Sequence, residues 1–192
     1  QLVEIVAMEK TRLKQASEPL ILDSHRAAIA ALTQERQAIE SEIAKRIAHD
    51  AALTRRKEIL ISIPGIGRHV ATVLLTELPE LGGTDRRAIA SLAGLAPHPN
   101  QSGVSQARSQ IAGGRPCVRA ALYMAGLASC RANPRARQSY RTMRQAGKPA
   151  KVAIIAQARK LVILANTLLK ANKMFDPNHR ASCHTTQSPA FA

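Results

Sequence analysis

Between Asp23 and Leu53 apolar and polar positions follow one another at spacings of three and four: Ile29, Leu32, Arg36, Ile39, Ile43, Arg46, Asp50 and Leu53 form a heptad seam with three polar intrusions. The spacing predicts one long helix from Asp23, serving either as a dimerising coiled coil or as a helix folded back on its neighbour. Ahead of it, Leu2, Ile5, Val6 and Leu13 are scattered among charges, and Pro19 interrupts the pattern. The run Ile59 to Gly67 closes a helix and turns through Pro64 and Gly65. A new helix from Arg68 to Leu78 then places Val70, Val73, Leu74 and Leu78 on one face. Pro79, Gly82 and Gly83 end it. Thr84 is a good N-cap for a short helix that stops at Gly94, and Asp85 suits that helix's positive end.

Residues 95–115 lose the periodicity and hold Pro97, Pro99, Gly103, Gly113 and Gly114, which predicts an extended loop with room for a short hairpin. Pro116 starts a helix through Val118, Leu122, Ala125 and Ala128; Asn133-Pro134 starts another that carries Tyr140 and Met143; Pro149 opens the most apolar one, with Val152, Ile155, Leu161, Val162, Leu168 and Leu169. After Asp176-Pro177 the tail is polar and irregular. The fold class is therefore mostly α. The organisation reads as a helical, coiled-coil-like segment over 1–57, a compact helical domain over 58–173, and a disordered tail over 174–192.

Composition sharpens this picture. Aromatic residues make up only 2% of the chain, so the core must be built from Ala, Leu, Ile and Val, with helices packed closely through small side chains. Two Tyr, two Phe and no Trp also leave little for stacking single-stranded bases. The net charge of +15 is divided unevenly. Residues 1–85 hold 11 Lys and Arg against 12 acids, whereas residues 86–192 hold 17 bases against one acid, Asp176. A half-chain of that kind leaves its cations for an external polyanion, and a phosphate backbone fits better than a solvated basic face or an anionic membrane. The three cysteines, Cys117, Cys130 and Cys183, form no CxxC pair and point to a reducing compartment. No apolar run long enough to span a bilayer stands out, and no membrane partner is expected.

Two motifs carry chemistry. Ile63-Pro64-Gly65-Ile66-Gly67 between two helices reads as the turn of a helix-hairpin-helix element. Glycines let a backbone approach a phosphate, amides at the start of the next helix point at it, and Arg68 adds charge. The plainer reading is an ordinary turn between two helices. The second motif is Gly94-Leu-Ala-Pro-His-Pro-Asn-Gln-Ser-Gly103, followed by Arg108, Gly113-Gly114-Arg115 and Arg119. A serine on a Pro-shaped loop among arginines has the parts of a phosphoryl-transfer nucleophile, with guanidinium groups bearing the charge that develops on phosphorus oxygens. A Ser-Gly in a loop is, by itself, more often a turn. Glu77, Glu80 and Asp85 read as helix-end and turn residues rather than a metal pair. Cys183-His184 and His179 lack a second ligand pair for zinc. Tyr123 and Tyr140 sit where core-edge aromatics sit, against a tyrosine-recombinase reading.

In order, IPGIG, GLAP with QSG, GG with VR and LY, and GKP with KVA and ARKL resemble the C-terminal transposase domain of the IS-one-ten insertion-sequence family, the bridge-RNA-guided recombinases. The likeness runs from about Glu58 to Leu169. It implies a DNA-binding recombinase of a mobile element, acting in DNA transposition through serine-mediated phosphoryl transfer. By its place in QSG, Ser102 is the implied nucleophile. Arg108, Arg115 and Arg119 would face phosphate, and Pro64, Gly65, Gly67 and Arg68 would clamp the DNA backbone. Family members hold divalent metal, Mg2+, on four acids of an N-terminal ribonuclease-H-like domain, so no metal ligand is expected in this chain. Partners implied are element DNA, a structured guide RNA and further copies of the protein, in the bacterial cytoplasm at the nucleoid. This sequence begins at Gln1 and carries no ribonuclease-H-like stretch, so a partial transposase, inactive on its own, is expected. The rival readings are a non-catalytic helix-hairpin-helix nucleic-acid-binding module and a Holliday-junction-binding protein.

Overall fold

The computed structural model describes residues 1–102 and 105–178, with residues 98–102 and 105–110 described through their backbone only. Among the described residues there are eight helices and one two-stranded hairpin, so the protein is mostly α. They divide into two units, Gln1–Thr54 and Arg55–Ala192, the division falling inside α3 (Ala51–Ser62).

In the first unit α1 (Leu2–Gln15) packs along α2 (Pro19–His49), and Glu9 receives both His25 Nδ1 at 2.6 Å and Arg12 Nη1 at 2.6 Å. The His25 bond, first, and then Arg12 hold the Glu9 carboxyl below its usual range. α2 starts four residues before Asp23 because Pro19, with its fixed φ and no amide proton to lose, fits the first helical turn. It also ends earlier than the seam predicts. Asp50 is no seam position: its carboxylate accepts from the amides of Ala52 at 2.8 Å and Leu53 at 3.1 Å, capping α3. Ile29, Leu32, Arg36 and Ile43 are half-buried, while Ile39 is exposed and Ile47, outside the seam, is buried.

The second unit holds the main core. α6 (Pro116–Ala132) and α8 (Ala150–Lys170) pack on each other; α4 (Arg68–Glu77) packs on α6, α5 (Arg86–Leu92) on α8, and α7 (Pro134–Gln145) on both. The low aromatic content shows in how closely the helices approach. A Cβ on Gly126 of α6 would lie 3.0 Å from Ile154 O and 3.1 Å from Ala158 N of α8, so the two backbones nearly touch. Leu74, Leu78, Ile89, Val118, Leu122 and Val162 fill the space around that contact with no exposed surface. The turn after α4 is pinned to α8 by buried Asn166, which donates to Thr84 O at 2.9 Å and accepts from Gly82 N at 2.7 Å. The cap of α5 lies one residue beyond Thr84, at Asp85, whose carboxylate takes the amides of Arg87 and Ala88.

α8 changes one expectation from the sequence. By length and composition it is able to cross a membrane, with 21 residues and a most apolar window of mean hydropathy 1.6. Half of that window is buried inside the unit, as in a core helix.

Candidate nucleic-acid interface

Where the sequence loses its periodicity, the chain forms an antiparallel hairpin, β1 (Pro97–Ser102) and β2 (Ser105–Ile111). Its first rung is Pro97 opposite Ile111 and its last is Ser102 opposite Ser105, with the register shifting between His98 and Asn100. Pro99, which has no amide to give the ladder, lies at that shift. Ser102 thus ends β1, and Arg108 lies in β2. Gly103 lies outside the described residues.

The base of the hairpin is a tight crossing. Gly94 has φ +67° and Gly114 φ +62°, conformations that favour glycine. A Cβ on Gly114 would come 2.5 Å from Gly94 Cα and 2.7 Å from Leu92 O, while one on Gly94 would come 2.6 Å from Gly113 O. Arg115 N donates to Leu92 O at 2.9 Å, and Arg119 Nη1 donates to Gly113 O at 2.7 Å. Arg115 also grips Glu80 with both terminal nitrogens, each bond 2.7 Å. The Gly-Gly-Arg and Val-Arg segments, whose arginines the sequence assigns to phosphate, therefore hold the stem that carries Ser102. Arg115 is committed to a carboxylate from the acidic half of the chain, which the charge division alone does not reveal. Arg119 spends one nitrogen on a carbonyl and keeps its charge.

The bidentate Arg115 bonds, followed by a backbone hydrogen bond, draw Glu80 from an ordinary value near 4.5 down to about 2, and the Arg115 guanidinium is raised in return. Because the folded value is depressed, the stabilisation is complete above about pH 4.5 and is lost as pH falls towards 2. Unfolding midpoints of the wild type and of Glu80→Gln should therefore differ at pH 7 and converge between pH 4.5 and 2, as followed by circular dichroism. A constant gap across that range would show that the pair contributes nothing to holding the stem.

The Ile63–Gly67 turn has two different glycines. Gly65 has φ +106°, and a Cβ there would lie 2.7 Å from Ala125 O and 2.7 Å from Ser129 Cβ, both on α6. Its bareness serves the packing of the turn on α6. Gly67, at the N-cap of α4, has no atom within 4 Å of its absent Cβ and is exposed, as are Arg68 and His69. Close approach by a phosphate is open at Gly67 and Arg68, while Pro64 and Gly65 are half-buried. The turn meets α6 at Ala125 and Ser129, and the hairpin base meets it at Arg119, so the two motifs are spaced roughly 9–15 Å along that helix at 1.5 Å per residue.

The acids between α3 and the hairpin each have a partner. Glu80 holds Arg115, Asp85 caps α5, and Glu77 accepts from Cys117 Sγ at 3.6 Å. Among the described residues no group of three or more His, Cys, Asp and Glu is placed to hold a metal. Cys183, His184 and His179 lie outside the described residues. Tyr123 is half-buried and lines a cavity of about 580 Å³ beneath the hairpin base, with Pro97, Ile111, Val152, Lys151 and Arg159. Tyr140 is half-buried on the inner side of α7.

One basic surface has no place in the motif reading. α7 buries no residue and follows Arg131 with Arg135, Arg137, Arg141 and Arg144, without an acid between them. Arg137 donates to the carbonyls of Cys130 and Arg131 at the end of α6, and Arg144 to Lys148 O at 2.6 Å. Arg131 and Arg141 are exposed and have no ion-pair partner among the described residues. The signal was present in the sequence, since Arg137, Arg141 and Arg144 share a helix face at spacings of four and three.

Residues 57–141 match the family model described as Transposase IS116/IS110/IS902 family. Over this stretch, rather less than half of its length, the chain is similar to that transposase family. The match takes in the Ile63–Gly67 turn, the hairpin, α6 and most of α7, and it stops short of α8, where the Gly-Lys-Pro motif and its sequel lie. The chain is similar to a pilin gene-inverting protein of Moraxella bovis, 36% identical over 129 residues, which are 65% of this chain and 40% of that protein. Its counterpart in Moraxella lacunata gives the same figures. An insertion element IS900 uncharacterized 42 kDa protein of Mycobacterium paratuberculosis is 31% identical over 166 residues, 78% of this chain and 39% of that protein. The chain thus spans about two fifths of the length of these relatives.

Proposed function

We propose that this chain is the part of a transposase that grips DNA and supplies the attacking serine in DNA transposition. The observation that carries the reading is the clamped hairpin inside the family stretch: Gly94, Gly114, Arg119 and the Arg115–Glu80 pair fix the base of an arm whose first strand ends at Ser102. In the proposed step Ser102 Oγ bonds to a backbone phosphorus, the bond from phosphorus to a deoxyribose oxygen breaks, and that oxygen leaves as a hydroxyl after taking a proton from water. The Oγ proton passes to a carboxylate of the ribonuclease-H-like domain that the family resemblance implies. Arg108 in β2 offers its charge to the phosphoryl oxygens, whereas Arg115 and Arg119 act as positioning residues for the stem. Gly67 and Arg68 hold the DNA backbone as a helix-hairpin-helix grip does, independently of sequence. Trapping of protein joined covalently to a nicked DNA end tests the chemical step. The guide RNA, further copies of the protein and a place at the bacterial nucleoid belong to the same proposal.

For the grip, duplex DNA affinity should fall steeply with salt and change little with base sequence, and Arg68→Gln should reduce the slope of log K against log salt by about one. Fluorescence anisotropy between 50 and 200 mM salt, a range in which about 10³-fold loss is usual for several phosphate contacts, checks it. A flat titration would remove the electrostatic argument.

A further inference from the structure

Beyond the hairpin and the turn, a second cavity lies where the end of α6 meets α7 and α8. Its volume is about 190 Å³, and it is lined by Ser129, Asn133, Arg135, Ser139, Gln157 and Lys160 over an apolar side of Leu161 and Leu164. No acid lines it. Ser139 Oγ accepts two hydrogen bonds, from Lys160 Nζ at 2.6 Å and from Gln157 Nε2 at 3.1 Å. With both acceptor positions taken, the hydroxyl's own proton is left to donate, and no acceptor for it is found among the described residues. Gln157 is only 3% exposed and its amide is fixed on Ser139, so the hydroxyl is held from beneath by a buried side chain. Asn133 has spent its carbonyl oxygen on the amide of Arg135, so its remaining polar atom is a donor nitrogen. The cavity therefore offers donors and positive charge to a ligand that only accepts.

We propose that this cavity seats one phosphodiester of a nucleic-acid strand, with Ser139 and Lys160 as its contacts. The inference rests on the reading of the chain as a DNA-gripping protein and extends its surface. Two features favour a phosphodiester over another anion. Ser129, which lines the cavity, is also the residue against which Gly65 packs, so the seat adjoins the turn that presents Gly67 and Arg68. A volume of 190 Å³ admits a phosphate and part of its sugar and is too small for a paired base.

The test compares Ser139→Ala, Lys160→Gln and Lys160→Arg with the wild type and with Arg68→Gln, using a twelve-nucleotide DNA strand, an RNA strand of the same length, and polyglutamate. Lys160 is exposed, so its variants should keep the wild-type circular dichroism. Lys160→Gln should weaken binding of at least one strand about five- to tenfold and lower its salt slope by about 0.7, while Lys160→Arg restores both. Ser139→Ala should weaken the same strand about threefold or more with the slope unchanged, because no charge is lost. If only the DNA or only the RNA strand responds, the seat holds and that strand is its ligand. Unchanged affinity and slope in both strands, with Arg68→Gln still weakened, would overturn the seat and leave the DNA grip standing. Polyglutamate binding as tightly as either strand would overturn the phosphodiester assignment. A wild type that binds no nucleic acid would sink the grip and the seat together.

Discussion

Gly114→Ala is expected to free the hairpin from the second unit while most of the helical content survives. The added Cβ has no room, since it would meet Gly94 Cα at 2.5 Å and Leu92 O at 2.7 Å, both backbone atoms that cannot swing aside. The residue would also be forced to keep φ +62°, which costs a non-glycine residue about 1–3 kcal/mol even without a clash. Relief requires the two ends of the stem to part, breaking the Arg115 N to Leu92 O bond at 2.9 Å and the Arg119 to Gly113 O bond at 2.7 Å. Only Ala93 and Leu95, with Leu92 beside them, reach the core around Leu74, Leu122 and Val162 from that crossing, so the circular dichroism of the helices should change little. Trypsin should cut after Arg108 at least tenfold faster than in the wild type. Gly113→Ala is the control: it has φ +67° but nothing within 4 Å, so only the backbone cost of about 1–3 kcal/mol applies and cleavage should quicken far less. Equal cleavage of the two variants would show that the Gly94–Gly114 crossing does not hold the arm.

Much of the fold is legible in the sequence because its signals are local. Pro116, Asn133-Pro134 and Pro149 start α6, α7 and α8 where helix-start chemistry predicts, and the scarcity of aromatics is matched by the close Gly126–Ala158 approach. What escaped it depends on long-range contact. Nothing near Arg115 announces that Glu80, 35 residues away, will occupy its guanidinium. Nothing in Ile-Pro-Gly-Ile-Gly tells that Gly65 is bare for the sake of Ala125 and Ser129 while Gly67 is bare towards open space. The heptad pattern carried through Asp50 because a periodicity count treats an acid at a seam position as an intrusion, whereas the carboxylate stops one helix and caps the next. The division of charge predicted a cationic surface without saying where it lies, and the arginines of α7 answer that only once its unburied face is seen. The Ser139, Gln157 and Lys160 cluster joins two helices, and no spacing rule within one of them finds it.

Ser102→Ala is expected to abolish covalent joining to DNA altogether while leaving DNA affinity within about twofold of the wild type, since a neutral hydroxyl adds nothing to the electrostatic grip. A serine hydroxyl is a weak nucleophile until a base or a metal site draws off its proton. The acids nearest in sequence, Glu77, Glu80 and Asp85, are occupied by Cys117, Arg115 and the amides of α5. The chain by itself should therefore bind DNA without cutting it. Adding the ribonuclease-H-like domain, divalent metal and guide RNA that the family resemblance implies should yield a protein–DNA adduct that resists denaturant. The strongest control stands directly across the ladder: Ser105 pairs with Ser102 in the last rung, so Ser105→Ala disturbs the same tip of the arm without removing the assigned nucleophile. Ser105→Ala and Ser109→Ala should keep the adduct, and mass spectrometry of the trapped species should place the phosphate on residue 102. An adduct on Ser105, Tyr123 or Tyr140 would reassign the nucleophile. Cutting by the isolated chain would show that the proton acceptor lies within these 192 residues after all.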